Sequence, residues 1–515
     1  MQSNNVEIYG RVAHTRSVAI NEVSLVRHKR FLWCYVSLYA FAWTVLTFLT
    51  NSSVPGGDAI EAFNWAANLD WGTTRSGWTV GLFIYPAMFF DSVIARSFYW
   101  YFVHFAGVGI GIFGVWTLAF RLTCSIRLAW LAVFLMNLSA IVSTDAQNQN
   151  DNYLLIMMWP WMFYFFIRAG FDDARFWLPF AFIAGVATMA KYSTLAFVGS
   201  VFLLTLAIPS LRPHYRSPWF YAAMACFFAL VLPNIFWIVE HNFVSINWFL
   251  KDANRGLALS TLESVAMVFS NVLVPCVVFL LMGIRFRWPA SPEARRAIIC
   301  MLLPLVPITL YLFLFPTRNP SRITEWMIPF SILAPPLFVA CISHMPATLM
   351  RRTYVVLVAA GAVVFVGYGT AKSLNWRNSY YSGYGETVVS AKGQELWHAR
   401  YNSELRYVGG SHVAGVATLY ASDFPAILMQ WTAARQPNIF TRDLRSDDVR
   451  QHGALLFGAP GTSCQVADFS PVLAAWPGME IDARTEIIFP NAPSAATQPI
   501  CLAFVAPIAD VHTYK

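Results

Sequence analysis

Between Phe31 and Ala371 the chain alternates long apolar blocks with short polar connections. Many blocks reach about 17 residues or more, enough to cross a hydrocarbon core of ~30 Å at ~1.5 Å per residue. The pattern predicts membrane helices over 31–50, 98–119, 126–144, 152–168, 176–190, 192–209, 218–238, 263–283, 297–316, 326–346 and 353–371. The first block follows Arg27, His28, Lys29 and Arg30, with no small-residue cleavage site behind it. It reads as an uncleaved signal-anchor helix.

Loop charge orients these spans. With a cytoplasmic N-terminus, the inner loops hold Arg121, Arg127, Arg168, Arg175, Arg212, Arg216, Arg285, Arg287, Arg295, Arg296, Arg351 and Arg352. The outer loops hold fewer basic residues: Arg75, Arg96, Lys191, Lys251, Arg255, Arg318 and Arg322. That asymmetry places the N-terminus inside and the C-terminus outside. Residues 78–90 are apolar but short, and counting them as a span would put most arginines outside. Residues 58–92 are therefore expected to lie as amphipathic helices on the outer interface.

Beyond residue 372 the pattern changes. Short strand-like runs occur at Val413–Leu419, Ala454–Phe457, Ile487–Phe489 and Cys501–Val505, and a helix is expected over 424–434. Residues 373–515 thus read as a small periplasmic α/β domain, with docking of the acceptor as its expected role. Residues 1–30 form a cytoplasmic tail, and 31–372 a membrane domain whose first outer loop is 51–97.

Composition agrees: hydrophobic residues make up 57% and charged residues 12%. The net charge of +8 argues for no nucleic-acid partner, because the basic residues are scattered over loops between apolar blocks. Eight cysteines show no CxxC or Cys/His metal spacing. Cys464 and Cys501 lie in the polar C-terminal part, where an oxidising periplasm would allow them to pair.

Candidate chemistry gathers on the predicted outer face. Asp58 and Glu61 are three apart, so on a helix both carboxylates share one face. The same spacing after Gly56-Gly57 also suits a capping-box helix start, and the two roles are compatible. A second polar run, Thr144 to Asn152, suits a hydroxyl-rich ligand or a plain solvated hairpin, with Asp151 placed to cap the helix that follows. Lys191 is the one charge between Phe176 and Leu211. A cation at that depth is paired, functional or snorkelling to the interface. Arg318 and Arg322 precede a late span and offer forked donors for phosphate, or are ordinary loop residues. Trp237, His241 and Trp248 sit at a span end, where aromatics form the usual interfacial belt and His241 lines or caps.

In order, these stretches resemble the GT-C glycosyltransferases of the bacterial protein-mannosyltransferase-like superfamily. That group includes the lipid A aminoarabinose transferase and rhizobial galacturonosyltransferases. The motifs are Asp58, Glu61, Trp65-Ala66 and Leu69-Asp70-Trp71-Gly72; Ala190-Lys191-Tyr192-Ser193; Leu232-Pro233 through His241; and Arg322 through Pro329. The family often carries His/Asn-Pro-Pro-Leu after the first-loop glycine. Here Thr73-Thr74-Arg75-Ser76-Gly77-Trp78 stands instead.

The resemblance implies an all-α polytopic GT-C membrane domain of about eleven spans at a bacterial inner membrane. It implies transfer of a hexosyl or pentosyl unit from a polyprenyl-phosphate sugar to lipopolysaccharide, lipid A, a related envelope glycan or a protein. Asp58 would be the general base, with Glu61 and Asp151 positioning the reactants. Lys191 with Arg318 or Arg322 would neutralise the departing phosphate, and His241 would line the substrate site. The leaving group is a monophosphate that fixed cations stabilise, so no metal and no cofactor is called for. A lipid-linked sugar transporter or flippase is the alternative, and a non-catalytic scaffold a third; the absence of Gly/Pro-interrupted half-repeats leans against transport.

Overall fold

The computed structural model describes residues 22–50, 57–143, 151–253, 277, 280, 283–289, 292–303, 328–374, 384–430, 439, 446–490 and 498–508. Helix α1 covers Glu22–Thr50. The loop between the first two long helices supplies α2 (Gly57–Asn68) and the short α3 (Thr79–Ile84), which continues as a 3₁₀ turn over Tyr85–Phe89. Then come α4 (Val93–Thr123), α5 (Ile126–Leu135), α6 (Asn152–Phe171), α7 (Trp177–Ala190), α8 (Thr194–Ala207) and α9 (Pro218–Glu240). Helix α10 (Val244–Ala253), strand β1 (Arg285–Phe286), α11 (Pro292–Leu302), α12 (Ala334–Ala340), β2 (Ile342–His344) and α13 (Ala347–Leu374) complete the apolar part.

Five of the described helices are long and apolar enough to cross a membrane: Val23–Thr50, Val93–Thr123, Asn152–Phe171, Pro218–Glu240 and Ala347–Leu374. Three predicted spans, 126–144, 176–190 and 192–209, form instead as the shorter α5, α7 and α8. The span predicted over 326–346 is not one helix. Pro329, Pro335, Pro336 and Pro346 divide it into a 3₁₀ turn (Ile328–Leu333), α12 and β2, as expected where proline removes helical donors. Most of the span predicted over 263–283, and 304–316 of the next, lie outside the described residues.

Small residues set the tightest helix pair. Gly107, Gly111 and Gly114 form a stripe along α4, and α6 lies on it. A Cβ at Gly111 would stand 2.3 Å from the Ile156 carbonyl oxygen, and one at Gly114 would stand 2.9 Å from Pro160. Such stripes let helix backbones approach closely where lipid leaves no hydrophobic driving force between helices.

The first-loop helix packs its apolar side into the protein: Ala59, Ala62, Phe63 and Ala66 of α2 are essentially buried. The C-terminal domain covers it. Only α3 and the following turn keep an apolar face outward, at Leu82, Tyr85 and Phe89.

That domain begins with α14 (Tyr384–Tyr401) and continues β3 (Tyr407–Gly410), α15 (His412–Tyr420), β4 (Ala426–Ile427), α16 (Ser446–His452), β5 (Ala454–Phe457), α17 (Ser470–Ala475), β6 (Ala483–Phe489) and β7 (Gln498–Val505). The five strands form one sheet in the order β4-β3-β5-β7-β6. Strand β3 runs parallel to β4 and β5, whereas β7 is antiparallel to β5 and β6. Two of the expected elements are different. Val413–Leu419 is helix, not strand: every residue of it is buried, so no polar alternation was available to choose between them. Ser411 caps it by accepting from the Val413 N–H. The helix expected over 424–434 is replaced, up to residue 430, by β4 and an extended stretch behind Pro425; 431–434 lie outside the described residues. Cys464 and Cys501 are disulfide-bonded, tying the loop after β5 to β7.

Candidate active site

Asp58 sits in the first turn of α2, where a negative charge also suits the helix dipole. Glu61 lies one turn on. Both face Arg75, whose Nη1 is 3.0 Å from Glu61 Oε2 and 3.8 Å from Asp58 Oδ1. The Arg75 guanidinium also lies over the Trp248 ring of α10, 5.2 Å from its centroid, an arrangement that favours a cation.

Arg75 is placed by a locked turn. The Thr73 N–H donates to the Ser76 carbonyl at 2.9 Å, and the Thr73 Oγ1 accepts from the Arg75 and Ser76 N–H groups. On one side Gly72 abuts Trp237, where a Cβ would stand 2.3 Å from the indole. On the other, a Cβ at Gly77 would meet Met189 Sδ at 2.8 Å. Ser245 Oγ donates to the Thr73 carbonyl at 2.6 Å, and Asn234 Nδ2 to the Trp71 carbonyl at 2.8 Å. Tyr192 completes the chain by donating to Asn234 Oδ1 at 3.0 Å.

Lys191 ends α7 and reaches the start of α6. Its Nζ donates to Asp151 Oδ1 at 3.0 Å and Asn152 Oδ1 at 2.6 Å. Asp151 holds the N-cap position of α6 but makes no side-chain capping bond; its carboxylate serves the lysine. An ammonium has three N–H groups, so one remains beyond the two committed among the described residues.

The two clusters share a field. Burial pushes the Glu61 carboxyl above its ordinary value, Arg75 pulls it back, and Asp58 and Asp151 raise it again. Asp151 acting at Glu61 places the lysine cluster within electrostatic reach of the arginine cluster.

His241 ends α9, stacks on Trp237 with centroids 4.1 Å apart, and its Nδ1 lies 2.7 Å from the Trp237 carbonyl oxygen. It thus backs Trp237, the residue that abuts Gly72. Arg318 and Arg322 lie outside the described residues. The sequence reading missed Arg75, Asn152, Tyr192 and Asn234 as site residues. For Arg75 a signal existed, since it is the one lysine or arginine between Arg30 and Arg96, the stretch that carries both carboxylates.

Residues 87–237 match the family described as dolichyl-phosphate-mannose-protein mannosyltransferase. That stretch holds Asp151, Asn152, Lys191 and Asn234, and stops short of Asp58, Glu61 and Arg75. No curated protein matches the chain. Among solved structures, ArnT from Cupriavidus metallidurans bound to undecaprenyl phosphate superposes with a TM-score of 0.59 at 12% identity, covering 92% of this chain and 98% of that one. ArnT from the same organism in the apo state gives 0.55 at 13% identity, covering 91% and 97%. Residues 87–237 thus resemble the dolichyl-phosphate-mannose-protein mannosyltransferase family, within a chain that shares its fold with the ArnT structures.

Proposed function

We propose that this chain is a membrane glycosyltransferase that moves a sugar from a polyprenyl-phosphate donor to an envelope acceptor on the periplasmic side. The observation that carries the proposal is the pairing of a carboxylate couple, Asp58 and Glu61, with a separate cation, Lys191, in one electrostatic neighbourhood. Support comes from the family match over 87–237 and from a fold shared with a protein solved with undecaprenyl phosphate.

In the proposed step an acceptor oxygen attacks the anomeric carbon as the bond from that carbon to the phosphate oxygen breaks. Asp58 takes the proton of a hydroxyl acceptor. The donor phosphodiester leaves as a monoester with one more negative charge, which Lys191 balances, together with Arg318 or Arg322. Preorganised charge of this kind carries a large share of catalysis. Glu61 and Asp151 hold the two cations and so position the reactants. Inversion at the anomeric carbon follows from a single displacement, and a product of retained configuration would count against it. The Cys464–Cys501 bond suits an oxidising compartment and so favours a periplasmic C-terminal domain. The acceptor is lipopolysaccharide, lipid A or a related glycan.

The test is transfer by the purified chain in detergent from radiolabelled polyprenyl-phosphate sugars to envelope lipid extracts, with Asp58→Asn and Lys191→Ala alongside. Transfer lost in both folded variants supports the reading. Movement of the lipid-linked sugar across vesicles without transfer would favour a flippase.

A further inference from the structure

The C-terminal domain touches the carboxylate helix itself. Helix α15 lies along α2 so closely that a Cβ at Gly415 would stand 2.8 Å from Asn64 Nδ2 and 3.4 Å from Ile60 Cγ2. At that crossing Thr418 Oγ1 donates to Asn64 Oδ1 at 2.7 Å, across 354 residues of chain. Both groups are buried, Thr418 at 4% and Asn64 at 7% exposure. The same hydroxyl is 2.7 Å from the Gly415 carbonyl oxygen, its own preceding turn, which fixes its rotamer.

Asn64 follows Glu61 by three residues, as Glu61 follows Asp58. The three side chains therefore form one slowly winding ridge on α2. Whatever holds Asn64 sets the rotation of that ridge about the helix axis, and hence where both carboxylates stand against Arg75. Strand β4 also packs against α2. Val416 and Leu419 of α15 are buried within the core of the membrane part, and Phe424 lies over the buried Arg96 of α4, 3.3 Å from ring centroid to Cζ. These contacts seat the domain; the Thr418–Asn64 bond adds register.

We propose that the C-terminal domain sets the catalytic register of α2 through Thr418 and Asn64, which act as positioning residues for Asp58 and Glu61. The catalytic half of this statement rests on the proposed function; the structural half does not. A domain that only docked the acceptor would have no need of a buried polar bond to the carboxylate helix.

The experiment compares the full chain, wild type and Thr418→Val, with Thr418→Ser as the variant that retains the hydroxyl and Gly415→Ala as an independent push on α2. Hydrogen exchange of the amides of 59–68 is read first and needs no substrate. Exchange there is expected to quicken several-fold in Thr418→Val and Gly415→Ala and to return to wild type in Thr418→Ser. Transfer kinetics are read second, with the radiolabelled polyprenyl-phosphate sugar as probe. A displacement of about 1 Å can cost ~10²-fold, so kcat is expected to fall ~10–100-fold with the donor KM nearly unchanged. Unchanged exchange overturns the proposal whatever the activity, and so does loosened exchange with unchanged kcat. Wild type inactive with every donor, or Asp58→Asn fully active, overturns the functional reading instead, while the exchange result still decides whether α15 holds α2.

Discussion

The two charged clusters of the candidate site are built differently. At the first, one guanidinium faces two carboxylates, so the group carries a surplus negative charge when both are ionised. Its members are a third to a half exposed, at 37% for Arg75, 52% for Asp58 and 38% for Glu61. At the second, one ammonium faces one carboxylate and an amide, giving no net charge, with both charged side chains about 20% exposed. The first can therefore accept a proton without leaving a bare cation, because Arg75 retains a partner. The second cannot lose a charge so cheaply. It is suited to meeting an anion that arrives, with Asp151 already holding Lys191 in place. A proton acceptor and a fixed counter-charge are the two parts that sugar transfer from a phosphate needs.

The sharpest break in this comparison is Asp58→Asn. On the proposed reading the proton of a hydroxyl acceptor then has nowhere to go, and kcat is expected to drop ~10²–10⁴-fold while Tm changes little. If the acceptor is a phosphate, already ionised, the drop will be far smaller, so the same variant reports the acceptor's chemistry. Lys191→Met comes next. Removing the ammonium strands the Asp151 carboxylate among mostly buried neighbours, costing about 1–3 kcal/mol of stability, measurable by thermal unfolding. Transfer should fall in kcat more than in KM, since the charge to be balanced develops as the phosphate leaves. A Lys191→Met protein as active as wild type would remove the second cluster from the mechanism.

Much of this was legible in the chain. Block length and loop arginines gave a helical membrane part, and the isolation of Lys191 within apolar sequence marked it as paired or functional before its partner was known. The partner was harder. Asp151 looked like a helix cap, and by position it is one; only the fold reveals that its carboxylate turns away from the α6 backbone to Lys191. Arg75 was passed over because a loop arginine carries no periodicity, and the turn that aims it depends on Trp237 and Met189, distant in sequence. The same limit applies to Val413–Leu419. A fully buried run has no polar face to reveal its period, and burial there comes from α14, α2 and the sheet, contacts that local sequence does not encode.

The smallest expected effect tests whether Arg75 tunes Glu61 or only neighbours it. Burial holds the Glu61 carboxyl above its ordinary value and Arg75 is the main force lowering it. The sign follows: the folded chain binds this proton more tightly than the unfolded chain. Glu61 therefore favours folding below the ordinary carboxylate value, and that contribution is lost as pH rises through the raised folded value. For activity the ionised Glu61 is the form that positions the reactants beside Asp58, so transfer should rise with pH along an acid limb displaced upward from the ordinary carboxylate range. Arg75→Gln removes the lowering influence and leaves burial, Asp58 and Asp151, all of which raise the value. The limb should then move further toward neutral pH, whereas in Glu61→Gln it should no longer respond to the residue at 75. Measuring kcat against pH in the single and double variants decides the matter. A limb that stays put in Arg75→Gln would make the guanidinium a structural tie between α2 and Trp248, and leave proton affinity at this cluster to burial and the neighbouring carboxylates.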